Sequence, residues 1–161
     1  MFDVLIIFGP NLNMLGTREP EIYGADSMAD IIKELNLQAE SLARRIEIVQ
    51  SNEEGALVTA IQEAQDKAAS IMFNLAAYTH TSIALRDALS MFDGPKVEVH
   101  LSNNDSREMF RQISLTAGVS DGSVVGFGAD SFYMGLDAAH RLLQKRERAG
   151  VNQQVQEGNI T

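Results

Sequence analysis

A chain of 161 residues, 45% of them hydrophobic and none of them cysteine, can build one domain around its own core; it has no disulfide framework and no thiolate metal site. A net charge of −9 argues against a nucleic-acid surface. No apolar run approaches the length of a membrane span, no charged-then-apolar leader opens the chain, and a cytoplasmic protein is expected.

Val4-Leu5-Ile6-Ile7-Phe8 reads as a buried strand. It delivers the chain into a long polar loop, Gly9 to Gly24, rich in Gly, Asn and Pro and carrying Arg18 and Tyr23. Loops of this length inside compact domains are commonly binding loops, and Arg with Tyr beside amides suits a lid with chemistry in it. Ser27 then offers an N-cap, with Asp30 in a capping-box position. Met28, Ile31, Ile32, Leu35, Ala39 and Leu42 follow at helical spacing. A second strand is predicted at Ile46-Glu47-Ile48-Val49, ending in Gln50-Ser51-Asn52, and a second helix over residues 55–67. Ser70-Ile71-Met72-Phe73 gives a third strand ending at Asn74, and a helix over residues 82–91 follows. Val97 to Leu101 and Val124 to Phe127 supply two more strands. The last helix is expected over residues 130–148, with Phe132, Leu136, Ala139 and Leu143 on one face. From Gly150 onward the chain is polar and aperiodic, so a catalytic domain is expected over residues 1–149 and a frayed, flexible tail over 150–161.

Strands interleaved with helices predict an α/β protein: a five-stranded, parallel, doubly wound sheet, with flavodoxin-like strand order as the default. Ligands in such sheets lie outside the carboxyl ends of the strands. Polar residues gather there: Asn11 and Asn13, Ser51 and Asn52, Asn74, Tyr78 and His80, then His100, Ser102 and Asn103, and Gly128.

Glu98 and His100 are two apart on a strand and so point to one side, where a carboxylate fixes the tautomer of its imidazole and suits it to acid–base work. The same spacing also fits an exposed edge pair without a role. Tyr23 and Arg18 form a second group: a free phenol has a pKa of about 10 and is a poor base, but a nearby guanidinium favours the phenolate. Alternatively, Tyr23 packs on a helix within a surface turn. Asn74, His80 and the helix start at Thr81-Ser82 form a third group, suited to an anion through amide, imidazole and helix N-terminal donors; His80 could instead be a capping residue. Arg107 and Arg111 lie four apart, so that one is expected at the rim and the other in solvent or at an interface. A Gly-x-Gly-x-x-Gly fingerprint, a Walker loop, a His/Asp/Glu set with metal spacing and a strand-end lysine are all lacking, so no metal, nucleotide or Schiff-base chemistry is indicated. His140 reads as a surface or core-edge residue.

The motifs Gly9-Pro10-Asn11-Leu12-Asn13 to Gly24, Gln50-Ser51-Asn52, Ala77-Tyr78-Thr79-His80-Thr81-Ser82, Arg86-Asp87-Ala88-Leu89, Glu98-Val99-His100-Leu101-Ser102-Asn103, Arg107-Glu108, Phe110-Arg111 and Gly126-Phe127-Gly128 resemble the type II 3-dehydroquinases, in that family's order. The resemblance implies a hydro-lyase that converts 3-dehydroquinate to 3-dehydroshikimate in the shikimate pathway, by anti elimination through an enolate and without cofactor or metal. It implies Tyr23 as base, Arg18 favouring its phenolate, Asn11 placing a water at the enolate oxygen, and His100, oriented by Glu98, as acid. Asn74, His80, the amides of Leu101 and Ser102, and Arg111 would hold the substrate. Asp87 would reach a neighbouring subunit's site in a dodecamer built from trimers. A role in quinate breakdown, or an inactive flavodoxin-like module that binds a small anion, are the alternatives. Five positions depart from the family's usual pattern: Phe8 stands in place of a polar residue, Glu53 of His, Leu75-Ala76 of Pro-Gly, and Ser131 of Gly. Phe8 and Leu75-Ala76 are expected close to the rim, where they would bear on affinity.

Overall fold

The computed structural model describes residues 1–16 and 26–158, the last eight of these as backbone only. Its strands are β1 (Phe2–Phe8), β2 (Ile46–Gln50), β3 (Ala68–Asn74), β4 (Lys96–His100) and β5 (Gly122–Val125). The helices are α1 (Met28–Ser41), α2 (Glu54–Ala64), α3 (Ile83–Met91) and α4 (Asp130–Gly158). All strand pairs are parallel, in the order β2-β1-β3-β4-β5, which is the flavodoxin-like arrangement expected from the sequence.

Buried on both faces, β1 reads as a continuous apolar run because its alternate side chains enter two different cores. Val4, Ile6 and Phe8 pack with Ile31 and Leu35 of α1 and Phe132, Leu136 and Ala139 of α4. Leu5 and Ile7 pack with Leu57 and Ile61 of α2 and Leu85 and Leu89 of α3. Gly135 lets α4 lie close on the sheet, since a Cβ there would come within 2.5 Å of Val99 Cγ2.

Helix α1 begins and ends by local chemistry. The Ser27 hydroxyl accepts from the Asp30 amide while Asp30 accepts from Ser27, a complete capping box. The Ser27 side chain and amide together hold the Asp30 carboxyl below its ordinary pKa. At the other end the Arg44 amide donates to the Ala39 carbonyl and the Ala43 amide to Glu40, a Schellman closure with Ala43 at φ 52°.

Three expectations are corrected. Strand β5 starts at Gly122 and stops at Val125, because it is an exposed edge whose polar residues hide its hydrophobic signal. Five short 3₁₀ turns (Leu12–Met14, Ala76–His80, Asn104–Ser106, Met109–Arg111, Ala117–Val119) occupy stretches too short for a period to show. Helix α4 continues to Gly158 and does not give way to an aperiodic segment at Gly150: the added residues hold no proline, and Gln and Glu have good helix propensity. None of the described helices is long and apolar enough to cross a membrane.

Candidate active site

A cleft opens at the carboxyl ends of β1, β3 and β4. Asn11, Leu12, Met14 and Leu15 line it after β1, and Asn74, Ala76, Ala77 and His80 after β3. The stretch after Glu98 contributes His100, Leu101, Ser102, Asn104, Arg107 and Arg111. Two arginines, two histidines and three asparagines thus face this cavity, and among the described residues no carboxylate lines it. Arg18 and Tyr23 lie outside the described residues. Asp87, on α3, does not line the cleft; its side chain is exposed, with Arg86 Nη1 at 3.7 Å. Thr81-Ser82 does not line it either, contrary to expectation, because Ser82 Oγ turns back to accept from its own helix at the Leu85 amide.

The parallel register places Glu98 and His100 on one side of β4. Nε2 of His100 lies 2.6 Å from Oε1 of Glu98, and both side chains are almost fully buried. The edge-pair alternative is thereby excluded. Glu98 also accepts from Ser114 Oγ at 2.8 Å and from Thr116 Oγ1 at 3.0 Å. These two partners are absent from the sequence reading: they sit 16 and 18 residues away in an aperiodic stretch, and their spacing of two is the sole local signal. The rings of His80 and His100 lie 6.4 Å apart and nearly parallel, at 22°. His80 Nδ1 donates to the Ile113 carbonyl at 2.8 Å, so it caps no helix.

Asn11 stands in the left-handed region at φ 66°, and its amide donates to Asn52 Oδ1 at 2.9 Å. The Asn52 carbonyl in turn receives the Tyr78 hydroxyl at 3.0 Å. Ser51-Asn52 therefore supports the rim from behind. Asn74 Oδ1 accepts from the Ala76 amide at 2.9 Å, which fixes its carboxamide at the strand end. Ala76 takes φ 51°, a conformation that suits glycine; the Pro-Gly usual at positions 75–76 in the resembling family fits this backbone path. Gly9 touches that path directly, as a Cβ there would lie 2.5 Å from the Leu75 carbonyl carbon.

Both Arg107 and Arg111 line the cleft, where only one was expected. Glu108 lies between them, with Oε2 at 3.4 Å from Arg107 Nε and 3.2 Å from Arg111 Nε. Its own backbone amide first, and then these guanidiniums, hold its carboxyl below the usual range. Arg107 Nη1 also donates to Ser102 Oγ at 3.2 Å. His140 is half-buried and accepts from Arg44 Nε at 3.1 Å. Phe8 is fully buried, with its ring 5.0 Å from that of Phe132 in an edge-to-face contact. It belongs to the core and not to the rim. Ser131, also buried, accepts from the Phe127 amide at 3.0 Å and so satisfies its own hydroxyl.

Fold and site together define the class: an enzyme of the general acid–base type on a flavodoxin-like sheet. The family described as dehydroquinase class II matches residues 2–140. The 3-dehydroquinate dehydratase of Trichodesmium erythraeum is 47% identical over 146 residues, covering 91% of this chain and 97% of that protein. That of Geotalea daltonii is 51% identical over 142 residues, covering 88% and 99%. The crystal structure of the type II dehydroquinase from Butyrivibrio crossotus superposes with a TM-score of 0.84 at 42% identity, covering 86% and 97%. The chain belongs to the class II dehydroquinase family.

Proposed function

We propose that this protein is a hydro-lyase that removes water from 3-dehydroquinate to give 3-dehydroshikimate, as the names of its relatives indicate, in the shikimate pathway. The observation that carries the reading is the buried Glu98–His100 pair beside a cleft whose described lining holds two arginines and three asparagines and no carboxylate. Such a cleft suits an anionic substrate. Tyr23, its phenolate favoured by Arg18, takes a proton from the carbon beside the ketone. The electron pair forms an enolate, whose oxygen is stabilised by a water held at Asn11. The enolate then expels the hydroxyl at the far carbon, on the face opposite the lost proton, as His100 protonates it to leave as water. Asn74, His80, Arg111 and the amides of Leu101 and Ser102 hold the carboxylate and ring hydroxyls. Residues 1–149 form the catalytic unit of a cytoplasmic enzyme.

The test is direct. Purified protein mixed with 3-dehydroquinate should generate the ultraviolet absorbance of a conjugated product. His100→Ala and Tyr23→Phe should each lower kcat by at least about a hundredfold, while substrate still binds by calorimetry. A folded wild-type protein that binds 3-dehydroquinate without turning it over would replace the enzyme with an anion-binding module.

The assembly is proposed to be a dodecamer of trimers, in which Asp87 completes a neighbour's site. Met109, Phe110 and Ile113 are 83%, 65% and 66% exposed beside the cleft, an apolar surface that association would cover. Light scattering should give about twelve times the 17.6 kDa chain mass; a monomeric mass at full activity would remove Asp87 from the site.

A further inference from the structure

We propose that Ser114 and Thr116 are positioning residues of the proton-transfer step: two hydroxyl donors that pin the Glu98 carboxylate, so that His100 keeps its Nε2–H on that carboxylate and leaves Nδ1 for exchange with a ligand. The proposal rests on the acid role given above to His100.

Counting hydrogen-bond donors and acceptors carries the argument. Ser114 Oγ receives the backbone amides of Ala117 at 2.9 Å and Thr116 at 3.2 Å. A hydroxyl has two acceptor positions and one proton, so both acceptor positions are filled and the proton has to go elsewhere. The nearest acceptor is Glu98 Oε1 at 2.8 Å, ahead of Oε2 at 3.1 Å and Thr116 Oγ1 at 3.3 Å. Ser114 is thus a donor by construction. Thr116, fully buried, gives its own proton to Glu98 Oε2 at 3.0 Å. Both carboxylate oxygens therefore accept from hydroxyls. The nitrogen 2.6 Å from Oε1 is then the donor that completes the set around the carboxylate.

Among the described residues, no arginine or lysine forms an ion pair with Glu98, and His100 is the titratable side chain at its oxygens. A buried carboxylate without a cation needs hydroxyl donors to stay ionised and in place. The same segment serves the other imidazole: the Ile113 carbonyl takes the proton of His80 Nδ1, and the Leu115 amide donates to Thr79. One short irregular segment, residues 113–116, thereby fixes the tautomers of both histidines in the cleft. Neither hydroxyl touches the cavity that holds His80 and Arg111, so neither is a substrate ligand.

The experiment pairs kinetics with nitrogen-15 NMR of the histidine side chains in the full-length protein. Wild-type His100 should show protonated Nε2 and bare Nδ1 in the neutral ring. Ser114→Ala should mix the two tautomers and lower kcat about tenfold, with KM changed less than twofold. Ser114→Thr, which keeps the hydroxyl, should restore both readings. Thr116→Val is the second variant, should Ser114→Ala fail to fold, and is expected to act in the same direction. Wild-type kcat together with an unchanged His100 spectrum in a folded Ser114→Ala or Thr116→Val protein would overturn the proposal. The spectrum needs no turnover: a wild type that is inactive on 3-dehydroquinate would refute the assigned reaction, while the tautomer in the variants would still decide the clamp.

Discussion

At the scale of single residues, Phe8 separates position from role. It ends a strand whose next residues form the cleft, yet its ring lies against Phe132 with no exposed surface. Phe8→Asn would remove that packing and bury an amide without partners. It should cost roughly 4 kcal/mol of stability in a denaturant titration, with KM for substrate little changed. A shifted KM at unchanged stability would return Phe8 to the rim. The Glu98–His100 pair was legible because strand geometry ties residues two apart. Ser114 and Thr116 were not, because what joins them to Glu98 is a tertiary fold across an aperiodic stretch. Asn52, expected on the rim, stands behind it and outside the cleft's lining; its service to Asn11 depends on two strands lying side by side, which spacing within one segment cannot express.

Among the elements, α1 carries the clearest local prediction. Its Schellman closure places Ala43 at φ 52°, where a Cβ crowds the backbone. Ala43→Gly should raise stability by about 0.5–1 kcal/mol, a Tm increase of roughly 2 °C by calorimetry; a fall in Tm would mean that the gain in unfolded-state freedom outweighs the relieved crowding. The start of this helix was readable from Ser27 and Asp30 alone, since a capping box is written in adjacent residues. The turns between Asn104 and Val119 could not be read, for each spans a single turn, too short for a hydrophobic period to show. Helix α4 outran its expected end because amphipathic spacing stops where the core stops, whereas helix formation continues until a breaker arrives.

The whole molecule sets a field against its own site. A chain of net charge −9 repels an anion at long range, while two arginines attract it inside the cleft. Salt shortens the reach of the first effect most, as the screening length falls from about 30 Å at 0.01 M to about 10 Å at 0.1 M. Initial rates measured over that range should show KM falling roughly twofold; a KM that climbs would mean the cleft's cations dominate at a distance as well. The sheet order itself was foreseeable, because alternating strands and helices leave few topologies open. Much of the cleft's polar lining was legible too, as Asn11, Asn74, His80, His100 and Ser102 follow strand ends; that Arg107 and Arg111 both turn inward was not, since only folding decides it.

The close approach of Gly9 to the Leu75 carbonyl couples two walls of the cleft mechanically. A Cβ at position 9 would lie 2.5 Å from that carbonyl carbon, so the turn after β1 and the turn after β3 bear directly on each other. The second turn has little room to yield, because Leu75 is fully buried in the core and Ala76 already takes φ 51°. Position 9 is therefore closed to every residue larger than glycine, and a push on either turn is felt by the other.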